Sequence, residues 1–369
     1  MSKLVEPRAR AERTFHTLDA LRGIAALAVV LFHCSYIYGL PQPVEGQIAV
    51  DLFFVMSGFI IAYRYDVRFA AGLGTLAFAK QRFIRLYPLF ILGSLIGVLP
   101  ALAAVVAGNV STLHRGFVES LPLAALMLPS HLAAPDTNFV YPLNAPAWTL
   151  ALEMLVNIAY AASFRSWTTR RLIGCVIVGF AALCLAASHY GTLDVGWTWS
   201  HYLGGFPRIL YGFAAGVLMF RLFERRPFRA TLPWWSLLLI IGVLFFLPPP
   251  VTRAWWDLGL VAVVVPAIVI AGVAAEPPKW LHSACATAGI YSYVVYSLHF
   301  VLIGVFIRLE DRLHLDKDAA SLGKALVFTG LVAAVSVAAH VLYDRPIRRR
   351  LTRAFVTART APRPVMAAR

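Results

Sequence analysis

Ten apolar runs dominate this chain of 369 residues. They cover residues 18–40, 47–63, 86–107, 146–163, 172–188, 203–220, 232–248, 255–274, 286–307 and 322–343. A membrane-spanning helix needs about 20 mostly apolar residues, whereas a strand of a membrane barrel shows about ten residues of alternating polarity. Because these runs are continuous, the sequence predicts an all-α, polytopic integral membrane helical bundle with about ten transmembrane helices.

A further apolar segment begins at Phe117 and reads FVESLPLAALMLPSHL. It is too short and too rich in proline to cross a bilayer. We therefore expect a re-entrant or interfacial segment inside a loop.

Basic residues divide the predicted bundle into two sides. With the N-terminus in the cytoplasm, 25 Lys and Arg fall in inner segments and six in outer ones. Cytoplasmic loops carry the excess of Lys and Arg, and an even number of spans returns the chain to its starting side. We expect both termini in the cytoplasm, with a tail at 1–17, a membrane-embedded domain at 18–346 and a basic tail at 347–369.

Charge and cysteine content point away from nucleic acid and metal. The formal net charge is +15, but the basic residues lie between apolar runs and at the tails, so topology explains them without nucleic acid. The cysteines fall in or beside apolar runs without metal-ligand spacing, and we interpret them as packing residues. They are Cys34, Cys175, Cys184 and Cys285.

Ionisable side chains inside the spans are the first functional candidates, because a charge at a membrane helix centre costs about 2.5–3.5 kcal/mol. Arg22 and His33 share one stripe of the first span, roughly 16 Å apart. Arg22 lies near the inner face, as do the arginines of RFIRLYP. Five residues are expected in one polar layer, roughly 6–12 Å from the outer boundary. They are His33, Asp51, Glu153, Arg208 and His299.

Each candidate also has a purely structural interpretation. His33 and His299 suit packing histidines bonded to carbonyl groups, and Glu153 suits interhelical hydrogen bonding. The arginines of RFIRLYP are also explained by the usual excess of basic residues on the cytoplasmic side. A zinc site from both histidines and Glu153 is compatible with the ligand types but lacks any local ligand pair, so no metal is expected. Cys34 points about 100° away from His33 on a helix, which disfavours a role as nucleophile.

A series of motifs, in order along the chain, resembles the acyltransferase 3 family of bacterial integral membrane acyltransferases. The motifs are LDALRGIAALAVVLFH with Arg22 and His33, VDLFFVMSGFII, RFIRLYP with Arg82 and Arg85, PAWTLALEM with Trp148 and Glu153, RILYGFAAG with Arg208, YSYVVYSLHF with His299, and YDRP. The last motif has Asp344 where a glutamate is more usual in the family.

The resemblance implies transfer of an acyl group, usually acetyl, from cytoplasmic acyl-CoA to a sugar hydroxyl. Arginines can hold the phosphates of CoA, and a histidine that titrates near neutral pH suits removal of the acceptor's proton. The implied catalytic candidates are His33, Glu153, Asp51 and His299, and the donor-binding candidates are Arg22, Arg82 and Arg85. Further polar candidates are Asp19, Ser57, Trp148, Arg208 and Tyr296.

The chemical role of His33 stays open between two steps. As a general base, it would be oriented by Glu153 or Asp51. Alternatively it would accept the acyl group itself as an acyl-imidazole.

The expected partners follow from the same resemblance. No bound cofactor is expected, and acetyl-CoA or another acyl-CoA is the co-substrate. The acceptor is a glycan, a lipid-linked sugar or a glycosylated small molecule, and the protein crosses the bacterial cytoplasmic (inner) membrane several times. The competing function is a transporter or flippase for lipid-linked glycans, which the lack of an inverted repeat disfavours.

Overall fold

The computed structural model describes residues 13–38, 45–108, 111–133, 137–229, 232–248, 252–313 and 321–356. These residues are mainly helical, and their one bridge pairs Phe139 with Thr198. In chain order the helices are α1 His16–Tyr38, α2 Ile48–Ala70, α3 Thr75–Val106, α4 Thr112–Glu119, α5 Leu121–Ala125, α6 Ala147–Ala162, α7 Thr169–Tyr190, α8 Gly205–Arg225, α9 Trp234–Phe246, α10 Arg253–Ala274, α11 His282–Arg312, α12 Ser321–Ala339 and α13 Arg345–Phe355.

Each predicted span corresponds to a helix. Among the described residues, eight helices are long and apolar enough to cross a membrane, counting α12 and α13 as one continuous helix. The helices α6 and α9 are apolar but shorter, with 16 and 13 residues. The described residues thus confirm the all-helical, polytopic class, while ten crossings and cytoplasmic termini stay predictions.

Two helices extend well beyond the predicted apolar runs. The predicted second span ends at residue 63, but α2 continues to Ala70; the third begins at residue 86, but α3 starts at Thr75. RFIRLYP therefore lies wholly inside a helix, whereas the predicted third span, 86–107, leaves its arginines in the preceding loop. Polar residues such as Arg82 can continue a helix past the apolar stretch, and hydropathy does not detect that continuation.

Two π-helical turns precede prolines. One covers Leu260–Val264 within α10, and the other covers His340–Asp344 between α12 and α13. Pro266 and Pro346 follow two residues after them. A proline lacks the N–H that would bond to the preceding turn, and its ring crowds that turn. The wider turn accommodates this local conflict, and π turns are frequent at functional sites.

The segment before α6 enters the bundle instead of remaining at its surface. All residues from 140 to 150 are buried, although α6 begins only at Ala147. Asn144 Nδ2 donates to the carbonyl oxygen of Ser297, in the middle of α11, at 2.9 Å. The first turn of α6 therefore starts inside the protein.

Two glycines allow α2 and α8 to pack backbone to backbone. A Cβ added at Gly58 would lie 2.1 Å from the carbonyl oxygen of Phe213, and one at Gly216 would lie 2.1 Å from that of Val55. Small residues let membrane helices approach closely. This contact aligns the polar residues of the two helices.

Candidate active site

A cavity of about 540 Å³ lies between α1, α2, α3, α6, α11 and the π turn that leads into α13. Its arginines lie towards the end of the bundle where α1 and α11 begin, and we call this end of the cavity its mouth. Its volume is within the range of about 300–1,000 Å³ that is typical of small-molecule sites.

One face of α2 follows the cavity over most of its depth. Val50, Phe53, Ser57, Ile60 and Arg64 line it at intervals of three or four residues. At about 1.5 Å per residue, the path from Arg64 to Val50 is about 21 Å long. The cavity is therefore a deep slot with a charged mouth and a mainly apolar inner end, a shape that suits a long ligand with a charged head.

The charged residues around the slot are mostly cationic. Seven arginines and three carboxylates line it, beside His340. The arginines are Arg13, Arg22, Arg64, Arg82, Arg85, Arg345 and Arg348, and the carboxylates are Asp19, Glu153 and Asp344. A cleft lined by one sign of charge concentrates ligands of the opposite sign, so the mouth suits an anion.

Arg82 and Glu153 form an ion pair in the wall of the slot. Arg82 Nη2 donates to Glu153 Oε1 at 2.8 Å, and Ser57 Oγ donates to the same oxygen at 2.9 Å. The two charged side chains are 9% and 21% exposed. Arg82 Nε is buried without a hydrogen-bond partner among the described residues. The pair thus keeps unused donor capacity next to the cavity.

The other predicted donor-binding arginines lie at the same mouth. Arg22 Nη1 is 3.7 Å from Asp19 Oδ1 on the preceding turn of α1. Arg64 and Arg85 have no ion pair with any described residue. The structure therefore brings Arg22, Arg82 and Arg85 together, as the sequence predicts.

The inner end of the slot is closed by aromatic rings. Phe53 packs edge-on against Tyr296 with ring centroids 5.7 Å apart, and Tyr296 shares a hydrogen bond of 2.8 Å with Thr149 Oγ1. The other neighbour of the Tyr296 ring is His299, at 5.7 Å. Neither His299 nor His33 lines the slot. Phe53 and Tyr296 therefore separate the slot from the histidines.

His33 and His299 form a pair beyond that barrier. Their ring centroids are 5.1 Å apart, and Phe300 packs edge-on against His33. His299 is fully buried, with Nδ1 2.8 Å from the carbonyl oxygen of Tyr296. That contact places the proton on Nδ1 and leaves a lone pair on Nε2, which has no partner among the described residues. The pair therefore contains an unused proton acceptor.

Asp51 and Arg208 form a separate, sealed pair. Arg208 donates from Nε to Asp51 Oδ1 at 3.1 Å and from Nη2 to Oδ2 at 2.7 Å, and the side chains are 1% and 2% exposed. Arg208 also donates to the carbonyl oxygens of Val195 and Gln47, both at 2.9 Å, and its guanidinium lies over Trp148. This saturated geometry indicates a structural role.

The expected single polar layer is wrong. The histidines, the Asp51–Arg208 pair and Glu153 occupy three different places, and Glu153 lies with the arginines. The expectation that Glu153 or Asp51 orients His33 is also wrong, because their hydrogen bonds go to Ser57 and Arg82 and to Arg208. The error comes from measuring depth from span ends, whereas Glu153 bonds to Ser57, which lies about 9 Å beyond Asp51 along α2.

Sequence reasoning did not assign a role to the C-terminal side of the slot. His340, Asp344, Arg345 and Arg348 line it from the π turn and the start of α13. Asp344 belongs to the YDRP motif, and the spacing of four between His340, Asp344 and Arg348 is a helical stripe. That spacing is the signal that was available in the sequence.

Among the described residues, His16, Glu276 and His282 are the one group whose possible metal-ligand atoms lie within 4.8 Å of one another. The imidazole rings are stacked at 3.8 Å and nearly parallel, so their nitrogen lone pairs do not converge on one point. Arg13 Nη2 is 3.5 Å from Glu276 Oε1 and adds a positive charge. This geometry suits a link between the start of α1 and α11 better than a cation.

Comparison with known proteins adds independent information. A family model described as an acyltransferase domain matches residues 15–342. The acyltransferase MdmB of Streptomyces mycarofaciens is 26% identical, over 94% of this chain and 95% of the relative. The exopolysaccharide production protein ExoZ of Rhizobium meliloti (strain 1021) is also 26% identical, over 90% of this chain and 99% of the relative.

A shorter relative matches part of the chain. Protein 2 in the picA locus of Rhizobium radiobacter is 33% identical over 186 residues, which are 48% of this chain and 96% of the relative. No solved structure matches the chain significantly.

Proposed function

This chain belongs to the acyltransferase 3 family and is an acyltransferase, and from that premise we propose that it moves an acyl group from acyl-CoA to a hydroxyl of a sugar or glycoconjugate. The single observation that carries the donor assignment is the slot of about 540 Å³, with its arginine-lined mouth and apolar inner end. CoA has the matching chemistry, since it joins a phosphorylated nucleotide to a thin pantetheine arm.

The donor's phosphates are assigned to the mouth of the slot. Arg22, Arg82 and Arg85 supply planar guanidinium groups, which match phosphate oxygens in bidentate fashion. The pantetheine arm then follows α2 inward for about 21 Å, the length of the slot, towards Phe53 and Tyr296. The basic mouth faces the cytoplasm, where acyl-CoA is found, in agreement with the predicted orientation.

Transfer itself is assigned to the histidine pair. A histidine removes the proton of the acceptor hydroxyl, the alkoxide oxygen bonds to the thioester carbonyl, and the C–S bond breaks. CoA leaves as a thiolate and takes up the proton that the histidine removed, which returns the histidine to its neutral form. We assign the base to His33, with His299 as its neutral neighbour whose Nδ1 proton is committed to the backbone. For this reaction, the acyl end must pass Phe53 and Tyr296, so side-chain rotation there is part of the proposal.

The acceptor class rests on the relatives. One is named as an acyltransferase and another as an exopolysaccharide production protein. We propose an acceptor hydroxyl on a glycan, a lipid-linked sugar or a glycosylated small molecule, and acetyl as the acyl group. The proposed location is the bacterial cytoplasmic membrane, crossed several times.

The test uses the full-length protein purified in detergent, with radiolabelled acetyl-CoA and a glycolipid fraction from the producing cells. We expect free CoA thiol to appear and label to enter the glycolipid. His33→Gln is expected to lower turnover by about 10²–10⁴-fold, the usual contribution of a general base. Cys34→Ala is the matched control, because it alters the next buried side chain on α1 and is expected to stay active.

Two outcomes would contradict the proposal. Turnover near the wild-type rate in His33→Gln would remove His33 from the reaction and leave His299 as the base. Absence of thiol release by the wild-type protein, together with transport of a separately labelled glycolipid across the bilayer of proteoliposomes, would favour the flippase. A rapid quench in neutral denaturant separates the two roles of His33, since an acyl-imidazole, which acid would hydrolyse, keeps label on the protein under these conditions.

A further inference from the structure

The C-terminal rod, which we define as His340–Phe355, forms one wall of the slot. Its π turn contributes His340 and Asp344, and the first turn of α13 contributes Arg345 and Arg348. The helix α13 also packs directly against α3, the helix that carries Arg82 and Arg85. The rod is therefore placed at the mouth, beside the arginines already assigned to the donor.

Asp344 forms a close ion pair with Arg348. Asp344 is fully buried, and its Oδ1 lies 2.7 Å from Arg348 Nε, while its Oδ2 contacts His340 Nδ1 at 3.0 Å. The Arg348 guanidinium also lies 5.7 Å from the centre of the Tyr293 ring. No described residue accepts a hydrogen bond from its Nη1 or Nη2, and the Nε contact lacks hydrogen-bond geometry. A guanidinium that is ion-paired on its Nε side keeps its terminal fork available to an anion.

Arg345 complements Arg348 at the rim of the slot. It is exposed, lines the slot and has no ion pair with any described residue. Arg349 and Arg350 on the same helix are exposed as well, yet they do not line the slot. Two arginines of the rod therefore line the slot and others do not. Binding of a ligand in the slot and binding of lipid can be tested separately by substituting one set or the other.

The donor needs more cationic groups than one pair of arginines. CoA carries a diphosphate and a separate 3′-phosphate, and a phosphate monoester alone has a charge of about −1.5 to −2 at pH 7. Arg82 is already shared with Glu153, and Arg22 with Asp19. Additional arginines across the mouth would complete the neutralisation of these phosphates.

We propose that the rod is the second wall of the phosphate site, where Arg345 and Arg348 bind the phosphates of the donor's nucleotide end. Asp344 is a positioning residue that acts through Arg348. This inference rests on the proposed acyl-CoA donor. It extends the proposal by assigning recognition of the nucleotide to the YDRP element, beside the arginines of α3.

The experiment measures equilibrium binding of CoA and of pantetheine, which lacks every phosphate, to the full-length protein in nanodiscs of phosphatidylcholine. Arg345→Ala and Arg348→Ala are each expected to weaken CoA binding by about 10- to 150-fold, the range for a hydrogen bond to a charged group. Pantetheine binding is expected to stay unchanged. Arg349→Ala is the matched control and is expected to bind CoA like the wild type.

The role of Asp344 is tested by a double-mutant cycle. Asp344→Asn is expected to weaken CoA binding less than Arg348→Ala does, and to add nothing when combined with Arg348→Ala. A loss in the double variant that exceeds the loss in Arg348→Ala would show that Asp344 does not act through Arg348.

Several results would overturn the inference. CoA binding within about two-fold of the wild type in Arg345→Ala, an exposed substitution that does not endanger folding, would exclude the rod from the donor site. An equal loss for pantetheine would indicate a structural effect. A loss confined to nanodiscs containing phosphatidylglycerol would assign the arginines to lipid. Wild-type protein that binds no CoA would refute the donor proposal itself.

Discussion

The protein contains two arginine–carboxylate pairs with the same chemistry and opposite surroundings. In the Arg208–Asp51 pair the side chains are 1% and 2% exposed, and the arginine also bonds to two carbonyl oxygens. In the Arg82–Glu153 pair they are 9% and 21% exposed, and one buried guanidinium nitrogen has no partner among the described residues. Burial and saturation, more than charge, therefore distinguish a structural pair from a pair available to a ligand.

The largest expected effect is on the sealed pair. Arg208→Ala would leave the Asp51 carboxylate buried without its counter-ion, and removing one partner of a buried pair costs about 3–5 kcal/mol. We expect little monodisperse protein after detergent extraction, and early aggregation of any that is recovered. Size-exclusion chromatography after stepwise heating measures this loss.

A matched control lies on the same helix. Arg221 pairs with Asp66 at 2.8 Å near the other end of α8, but its side chain is 23% exposed. Arg221→Ala is expected to be clearly less destabilising than Arg208→Ala. Replacing both sealed partners, as Asp51→Leu with Arg208→Met, is expected to recover part of the stability, because no isolated charge remains. A double variant less stable than Arg208→Ala would contradict the structural interpretation.

The second prediction concerns the open pair. Arg82→Ala is expected to weaken CoA binding by about 1.5–3 kcal/mol, the range for a hydrogen bond to a charged group, while the protein stays folded. Arg82→Lys is expected to recover only part of the affinity, because lysine lacks the planar fork. Titration calorimetry with CoA measures the effect. Undiminished affinity for CoA in a folded Arg82→Ala variant would mean that Arg82 contributes only to membrane topology.

The third prediction has the opposite sign. Glu153→Gln removes a carboxylate that competes with the donor's phosphates for Arg82, so CoA binding is expected to tighten by about 0.2–1 kcal/mol, as for a partly exposed ion pair. The same substitution type in the sealed pair, Asp51→Asn, is expected to destabilise the fold. Weaker CoA binding in Glu153→Gln would mean that the carboxylate orients Arg82 for the ligand.

The sequence predicts the helices well because continuous apolar runs leave few alternatives in a membrane. It also identifies the arginines of the mouth, since topology collects basic groups at one end. Depth is predicted less well. Asp51 and Glu153 are four and seven residues from their predicted span ends, yet Glu153 bonds to Ser57, which lies six residues, or about 9 Å, beyond Asp51 along α2. The offset between two packed helices leaves no signal in hydropathy.

The Phe53–Tyr296 barrier and the C-terminal rod show a similar limit of sequence-based prediction for side-chain contacts. Tyr296 and Asp344 both belong to recognised motifs, but the sequence does not state which neighbours they contact. Phe53 comes from another helix, so its contact with Tyr296 depends on how α2 and α11 are placed. Spacing of four between Asp344 and Arg348 predicts a local pair, and the structure adds that the pair lines a slot.

The prediction with the smallest expected effect compares two hydroxyl groups that each donate a hydrogen bond to a carboxylate. Ser57 Oγ donates to Glu153 at 2.9 Å beside the slot, and Tyr160 Oη donates to Asp66 at 2.7 Å in a site where both residues are buried. Ser57→Ala is expected to change stability and CoA affinity by less than about 1 kcal/mol, because water in the slot can replace the hydroxyl. Tyr160→Phe is expected to cost about 1.5–3 kcal/mol of stability, because no water replaces the bond to the carboxylate. Thermal unfolding of both variants in one detergent decides the matter: equal losses would show that water does not reach Glu153 and that the slot is closed in solution.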